Sequence, residues 1–371
     1  GIMSVLVVSA LLGLVSLAVS PFLPTWLGGN SHITPTASAY FAIVATALPI
    51  FQFSIFGAGM LRSSGNMVVP SVMSVVMMSL DVVFNFFLIF PTRPMELFGT
   101  QIMMPGMGMG VMGAAIGTVS AELVAASITM YILCFRSKEL SLRIDTGRFL
   151  PTWGVVKRAL HISLPMGLQQ TIMCSAYVMT TIIIAPLGTF AIAANSFGII
   201  IESLCYMPGY GIADAATTLV GQSMGAGRHE LMKRFAWLSV GLGVTVMAVM
   251  GVVMYVGAPT AMAMMTPAEE VRRLGVEVLR IEAFAEPMFA AAIVSYGVFV
   301  GAAKTLVPSI MNLVSIWGVR ISLAAMLAPS MGLRGVWIAM CIELCFRGLI
   351  FLVKLKFWNI QTSCKHYGKD Q

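Results

Sequence analysis

Residues 43–71 read IVATALPIFQFSIFGAGMLRSSGNMVVPS, and residues 281–309 read IEAFAEPMFAAAIVSYGVFVGAAKTLVPS. Laid over each other without a gap, they pair Ile43 with Ile281, Pro49 with Pro287, Phe51 with Phe289 and Gly59 with Gly297. They also pair Val69-Pro70-Ser71 with Val307-Pro308-Ser309. The same shift of 238 residues extends upstream, to Val8 and Val246, Gly13 and Gly251, and Pro21 and Pro259. Downstream the shift becomes 222, pairing Met109-Gly110-x-x-Gly113 with Met331-Gly332-x-x-Gly335. The change of shift falls in a longer loop near 91–109 of the first copy. One proline in register is within reach of chance; four at a single offset point to an internal repeat.

What repeats is a membrane-spanning unit. Of 371 residues, 58% are hydrophobic and 10% charged, with mean hydropathy +0.91, whereas soluble domains carry about 25% charged residues. Apolar stretches long enough to cross the ~30 Å hydrocarbon core recur along the chain. They place ten spans near 3–26, 38–61, 67–90, 110–134, 161–185, 189–219, 236–257, 271–300, 306–328 and 335–357. Backbone polar groups in lipid must be satisfied within the segment, so the spans are helices and the chain is all-α. Pro49, Pro208-Gly209 and Pro287 mark internal breaks, tolerated where neighbours or a wet cavity satisfy the freed carbonyls.

The net charge of +7 is spread over short clusters between spans, as in membrane loops, and forms no stripe that would hold nucleic acid. The six cysteines, Cys134, Cys174, Cys205, Cys341, Cys345 and Cys364, lie mostly inside apolar segments and form no disulfide framework or CxxC metal site. Cys341 and Cys345, one turn apart, read as small packing residues. Residues 1–27 lack the basic start and small-residue cleavage site of a signal peptide.

Lys and Arg set the orientation. Fifteen fall in one set of loops (Arg62, the cluster from Arg136 to Arg158, Arg228 to Arg234, Lys304 and the tail lysines), and only Arg93, Arg272, Arg273 and Arg334 in the opposite set. The first set is expected to be cytoplasmic, with the C-terminus inside. An even number of helices separates the repeats, so they share one orientation, the parallel type of transporter repeat. The second copy is preceded by two further helices. Symmetry therefore predicts two helices upstream of residue 1, in a six-plus-six protein. The expected organisation is an N-terminal lobe (1–135), a charged cytoplasmic linker (136–160), a C-terminal lobe (161–358) and a cytoplasmic tail (359–371).

Charges inside spans are candidate functional groups. Asp81 and Asn85 stand one turn apart on one helix, and Thr118 and Glu122 one turn apart on the next. Their carboxylate, amide and hydroxyl oxygens suit a hard sodium ion held by Asp81, Asn85 and Thr118, or a proton carrier; the plain alternative is a buried packing cluster. The second half carries Arg280, Glu282, Glu286, Arg320, Glu343 and Arg347, with Glu282/Glu286 and Glu343/Arg347 as one-turn pairs. The repeat maps Asp81 to Val319, so Arg320 stands beside the mirrored position and needs Glu282 or Glu286 to neutralise it. A structural ion-pair network is the plain reading, a proton or substrate relay the other. Glu202 and Asp214 are further candidates. The thirty methionines and twenty-one phenylalanines suit a cleft that repacks around varied apolar ligands, or ordinary helix packing. Gly209-Tyr210-Gly211 lacks the rest of a potassium filter.

Gly59-x-Leu61-Arg62-x-x-Gly65-Asn66 followed by Pro70 resembles the turn after helix four of multidrug and toxic compound extrusion (MATE) transporters. Gly113-Ala-Ala-Ile-x-Thr118 is similar to their helix six, and Leu219-Val-Gly-Gln222-x-x-Gly225-Ala-Gly227 to the motif that ends their helix eight. The resemblance covers the chain from family helix three to helix twelve. It implies antiport: export of organic, often cationic compounds against inward sodium or protons, by two rocking lobes, without a cofactor. It also implies a monomer in the plasma (inner) membrane whose partners are small organic substrates and lipid. One branch of the family carries Asn and then Asp four residues later on helix five. Here Asp81 takes the Asn place and Asn85 the Asp place. The helix-seven glutamate of another branch is replaced by Met173, and the helix-one aspartate of that site has no counterpart among these residues, which the resemblance aligns from family helix three onward.

Three rival readings remain. A lipid-linked saccharide flippase of a related family would need a wetter, more basic cavity. An intramembrane enzyme would need HExxH, GxSxG or paired histidines within a span, but His32, His161, His229 and His366 lie at loops or span ends. An inactive truncated fragment is the third.

Overall fold

The computed structural model describes residues 2–26, 34–97, 100–137 and 153–358. The chain forms two compact units, 1–156 and 157–371. The basic residues between Lys138 and Arg148, and the tail from Asn359 with Cys364 and His366, lie outside the described residues.

In the first unit, helix α1 (Ile2–Val19) and the short α2 (Leu23–Trp26) lead to α3 (Thr34–Thr46), α4 (Leu48–Ser63) and α5 (Val68–Ile89). A β-hairpin (β1, Pro91–Leu97; β2, Thr100–Met107) precedes α6 (Gly110–Tyr131), whose last turn is a π-helix, Ile132–Arg136. The second unit holds α7 (Trp153–Ile184), α8 (Thr189–Gly225), α9 (His229–Met265), α10 (Glu269–Glu282) and α11 (Glu286–Gly301). There follow α12 (Leu306–Leu313), a π-helical stretch (Val314–Ile321), α13 (Ser322–Met331) and α14 (Leu333–Lys356). Among the described residues, eight helices are long and apolar enough to cross a membrane, and two bent pairs bring the number to ten if each is one span. Lipid is the solvent for much of this surface: α5 presents Val68, Val72, Val75, Met78, Val82, Val83 and Phe87 outward.

The bent pairs are the two copies of the opening stretch. Helices α3 and α4 meet at 44° and α10 and α11 at 59°, with Pro49 and Pro287 in the first turn of α4 and α11. A proline there lacks an N–H that the first turn leaves unpaired anyway, so it starts a new helix more readily than it continues an old one. Leu48 and Glu286 open the second helices, Ser63 and Gly301 close them, and Val68 and Leu306 open the next pair, each 238 residues apart. Gly110 and Gly332, 222 apart, both have positive φ, 56° and 62°.

Small residues set the packing distances. On α6, Gly113, Gly117 and Ala121 are buried at four-residue spacing, and Gly113 and Gly117 lie against Leu88 and Asn85 of α5. In the second unit α11 is the central helix, buried along most of its length and packed against α8, α9 and α14. Its Gly297 meets the Ala213 carbonyl and accepts a 2.8 Å hydrogen bond from Thr217 Oγ1 through its own carbonyl.

Three expectations are corrected. The stretch 91–109 is an antiparallel hairpin with a bulge between Pro91 and Arg93, locked where Thr92 Oγ1 donates to the Gly106 carbonyl (3.1 Å) and accepts from its N–H (3.2 Å). Residues 153–160, expected in the linker, are the first two turns of α7. Helix α8 runs unbroken through Pro208, where Gly209 makes room for the Met247 sulfur of α9. The five described cysteines are free thiols, and Cys341 and Cys345 pack against the core of the second unit.

Candidate functional site

In the first unit, the close approach of α5 to α6 at Gly117 brings the expected residues to one helix pair. Asp81 and Asn85 are half-buried, and Asn85 Nδ2 donates to Asp81 Oδ1 at 3.1 Å. Asn85 Oδ1 is turned into the α5–α6 contact, where it is buried without a hydrogen-bond donor among the described residues. Thr118 follows Gly117 directly, and Glu122, one turn further, is buried. The arrangement offers a carboxylate and an orphan amide oxygen side by side.

The second unit concentrates charge. Glu343, fully buried on α14, accepts hydrogen bonds from Arg320 Nε (3.1 Å) and Nη2 (2.8 Å) and from Ser315 Oγ (2.7 Å). Arg347 Nε lies 3.0 Å from Glu343 Oε1, and its guanidinium sits over the Phe289 ring at 5.4 Å. The ion-pair network expected here therefore closes on Glu343, not on Glu282 or Glu286. Two features of the backbone cause this. The break at Ala283–Ala285 puts Glu282 and Glu286 on two helix axes rather than on successive turns of one. The π-helical stretch carries both Ser315 and Arg320 to face α14.

Glu282 and Glu286 are each 1% exposed, and none of their four carboxylate oxygens has a hydrogen-bond partner among the described residues. Glu202 on α8 is buried and close enough to both for their charges to interact. Together with Arg320, Arg347, Tyr206, Tyr210 and Trp337 it lines a cavity of ≈ 80 Å³. Trp337 Nε1 donates to Asn195 Oδ1 (3.1 Å) on the cavity wall. Met173 lines the same cavity. Asp214 is exposed on α8 and apart from it, and Arg280 turns away, over the Tyr255 ring at 5.2 Å. Sequence reasoning missed Ser315, Asn195 and Trp337. Ser315 could have been noticed as a buried hydroxyl on the helix of Arg320; nothing local marks the other two.

A family model described as MatE matches residues 1–87 and 165–326. The chain belongs to the MatE family. The matched residues include Asp81, Asn85, Glu202, Glu282, Glu286 and Arg320, while Thr118, Glu122, Glu343 and Arg347 lie outside them. The chain is 26% identical over 329 residues to a probable multidrug resistance protein NorM of Thermotoga maritima, covering 87% of this chain and 67% of that protein. It is 28% identical over 244 residues to a probable NorM of Xylella fastidiosa, covering 65% of this chain and 52% of that protein, so it spans about half that relative's length. The fold is that of a solved multidrug resistance MATE family transporter of the MOP superfamily in an outward-facing conformation. The TM-score is 0.85 at 19% identity, over 96% of this chain and 76% of that one.

Proposed function

We propose that this MatE-family protein is a secondary antiporter that exports organic, often cationic compounds while sodium ions or protons run inward, by alternating access of two lobes. One observation carries the reading: Glu282 and Glu286 are buried carboxylates without a hydrogen-bond partner among the described residues, while both nearby arginines are committed to Glu343. An ionised carboxylate in that setting is costly unless a cation neutralises it. With no side-chain cation paired to it among the described residues, the neutraliser is a mobile one, a proton or a sodium ion. Efflux is supported by the multidrug resistance names of the relatives. The protein sits as a monomer in the inner membrane with its C-terminus in the cytoplasm, the side to which most Lys and Arg fall.

A second reading places the coupling cation in the first unit, at Asp81, Asn85 and Thr118 with Glu122 nearby; the orphaned Asn85 Oδ1 beside Asp81 favours it. Proteoliposomes with imposed proton or sodium gradients separate the two. Glu282→Gln with Glu286→Gln is expected to abolish gradient-driven dye efflux while membrane insertion persists. Undiminished coupling in that variant, with loss in Asp81→Asn, would move the site to the first unit.

A further inference from the structure

Glu343 is oversupplied with partners. Three side chains hold it: Ser315 Oγ donates at 2.7 Å, Arg320 through two nitrogens at 2.8 and 3.1 Å, and Arg347 through Nη2 at 3.5 Å, with its Nε in ion-pair contact at 3.0 Å. Beside it are three other carboxylates: Glu202 of α8 shares a cavity with both arginines, Glu282 of α10 lies in the field of Arg320, and Glu286 of α11 is linked to them through the charge of Glu202. Neither guanidinium donates a hydrogen bond to any of the three among the described residues. Their other titratable neighbours are thiols and phenols: Tyr177 from α7, Cys205, Tyr206 and Tyr210 from α8, and Cys341 and Cys345 from α14. From α9, Gly251 packs on the Glu286 methylenes. Among the described residues, the fixed cations that act on these carboxylates are thus the two that Glu343 holds.

The asymmetry has an electrostatic consequence. Arg320, Arg347 and Glu343 together carry one net positive charge. Without Glu343 the pair would carry two, and either guanidinium would be free to turn to the remaining carboxylates. In a low-dielectric interior a full charge at such separations changes ion affinity strongly.

We infer that Glu343 is a positioning residue: by holding Arg320 and Arg347 on itself, it keeps Glu202, Glu282 and Glu286 open to a mobile cation and sets their affinity for it. This rests on the reading that these carboxylates hold the coupling ion. It assigns to α14, outside the stretch matched by the family model, control over the ion taken up on α8, α10 and α11.

The test measures half-saturation of gradient-driven efflux, in sodium concentration or in pH, for the purified protein in proteoliposomes. Glu343→Gln is expected to weaken cation uptake by roughly tenfold: half-saturating sodium rises, or the pH of half-maximal proton-driven transport falls. Arg347→Gln is expected to move half-saturation the opposite way. The double variant, which restores the charge sum, should return near the parent. General damage to packing would lower maximal rate or yield in all three without opposed shifts. Shifts in one common direction, or none, overturn the inference; if Glu343→Gln does not fold, an unmoved Arg347→Gln overturns it alone. Loss of coupling in the Glu282→Gln, Glu286→Gln variant beside unmoved Glu343 variants would refute this inference and leave the site reading standing.

Discussion

Gly65 and Ala303, 238 residues apart, adopt the same left-handed backbone, with φ of 88° and 55°. Each closes the second helix of a bent pair and turns the chain into the next span. Glycine takes this conformation at no steric cost, while a Cβ there costs about 1 kcal/mol. Ala303 is the only non-glycine with positive φ among the described residues.

Ala303→Gly should therefore stabilise the protein by about 0.5–1 kcal/mol, and Gly65→Ala should destabilise it by a similar amount. Thermal unfolding in detergent, followed by helical circular dichroism, gives both signs. A loss of stability in Ala303→Gly would mean that its methyl packing outweighs the backbone strain.

Gly117 is the point where Asn85 comes closest to α6. A β-branched side chain there has to displace the amide or push α5 away. Gly117→Val is expected to cost about 2–3 kcal/mol and to impair the Asp81–Asn85 pair, whereas Gly110→Ala, in open space, should disturb only its own turn. Comparing melting temperatures and efflux of the two variants checks this.

Asp81→Asn should leave insertion intact and reduce gradient-driven efflux if the first unit contributes to coupling. Asn85→Ala should reduce it less, since it removes only a neutral oxygen. Transport in proteoliposomes, with expression measured in parallel, ranks the two. A larger defect in Asn85→Ala would assign the pair a packing role.

Helix α9, 37 residues long, spans roughly 55 Å, so its ends emerge on opposite sides of a bilayer. In a cysteine-free background, Ala226→Cys before it should react only with thiol reagents on the cytoplasmic side. Pro267→Cys after it should react only from outside. The reverse pattern would invert the orientation drawn from the Lys/Arg bias.

Trp337 donates from Nε1 to Asn195 Oδ1 across the cavity wall. Trp337→Phe should cost about 1–2 kcal/mol, from the lost hydrogen bond and lost ring area together. Calorimetric unfolding measures it.

The sequence alone determined the ten apolar spans, the bends at Pro49 and Pro287 and the register of the repeat. Span length, a missing proline N–H and a glycine-type turn are local properties, written within a few residues of where they act. It also carried the one-turn pairs Asp81/Asn85 and Glu343/Arg347, because helical spacing follows from numbering. What it did not carry was partner choice between helices. Arg320 bonds to Glu343, 23 residues away, instead of to Glu282 or Glu286. The π-helical stretch turns it toward α14, and the break after Glu282 turns the two acids onto separate axes. Likewise, Asn195 finds Trp337 142 residues away, and 91–107 forms a hairpin through Thr92 and Gly106 where only a long loop was legible. Such pairings depend on crossing geometry and on which small residues let two backbones approach. Only the tertiary structure decides which buried charges are paired within the protein and which, among the described residues, are left without a partner.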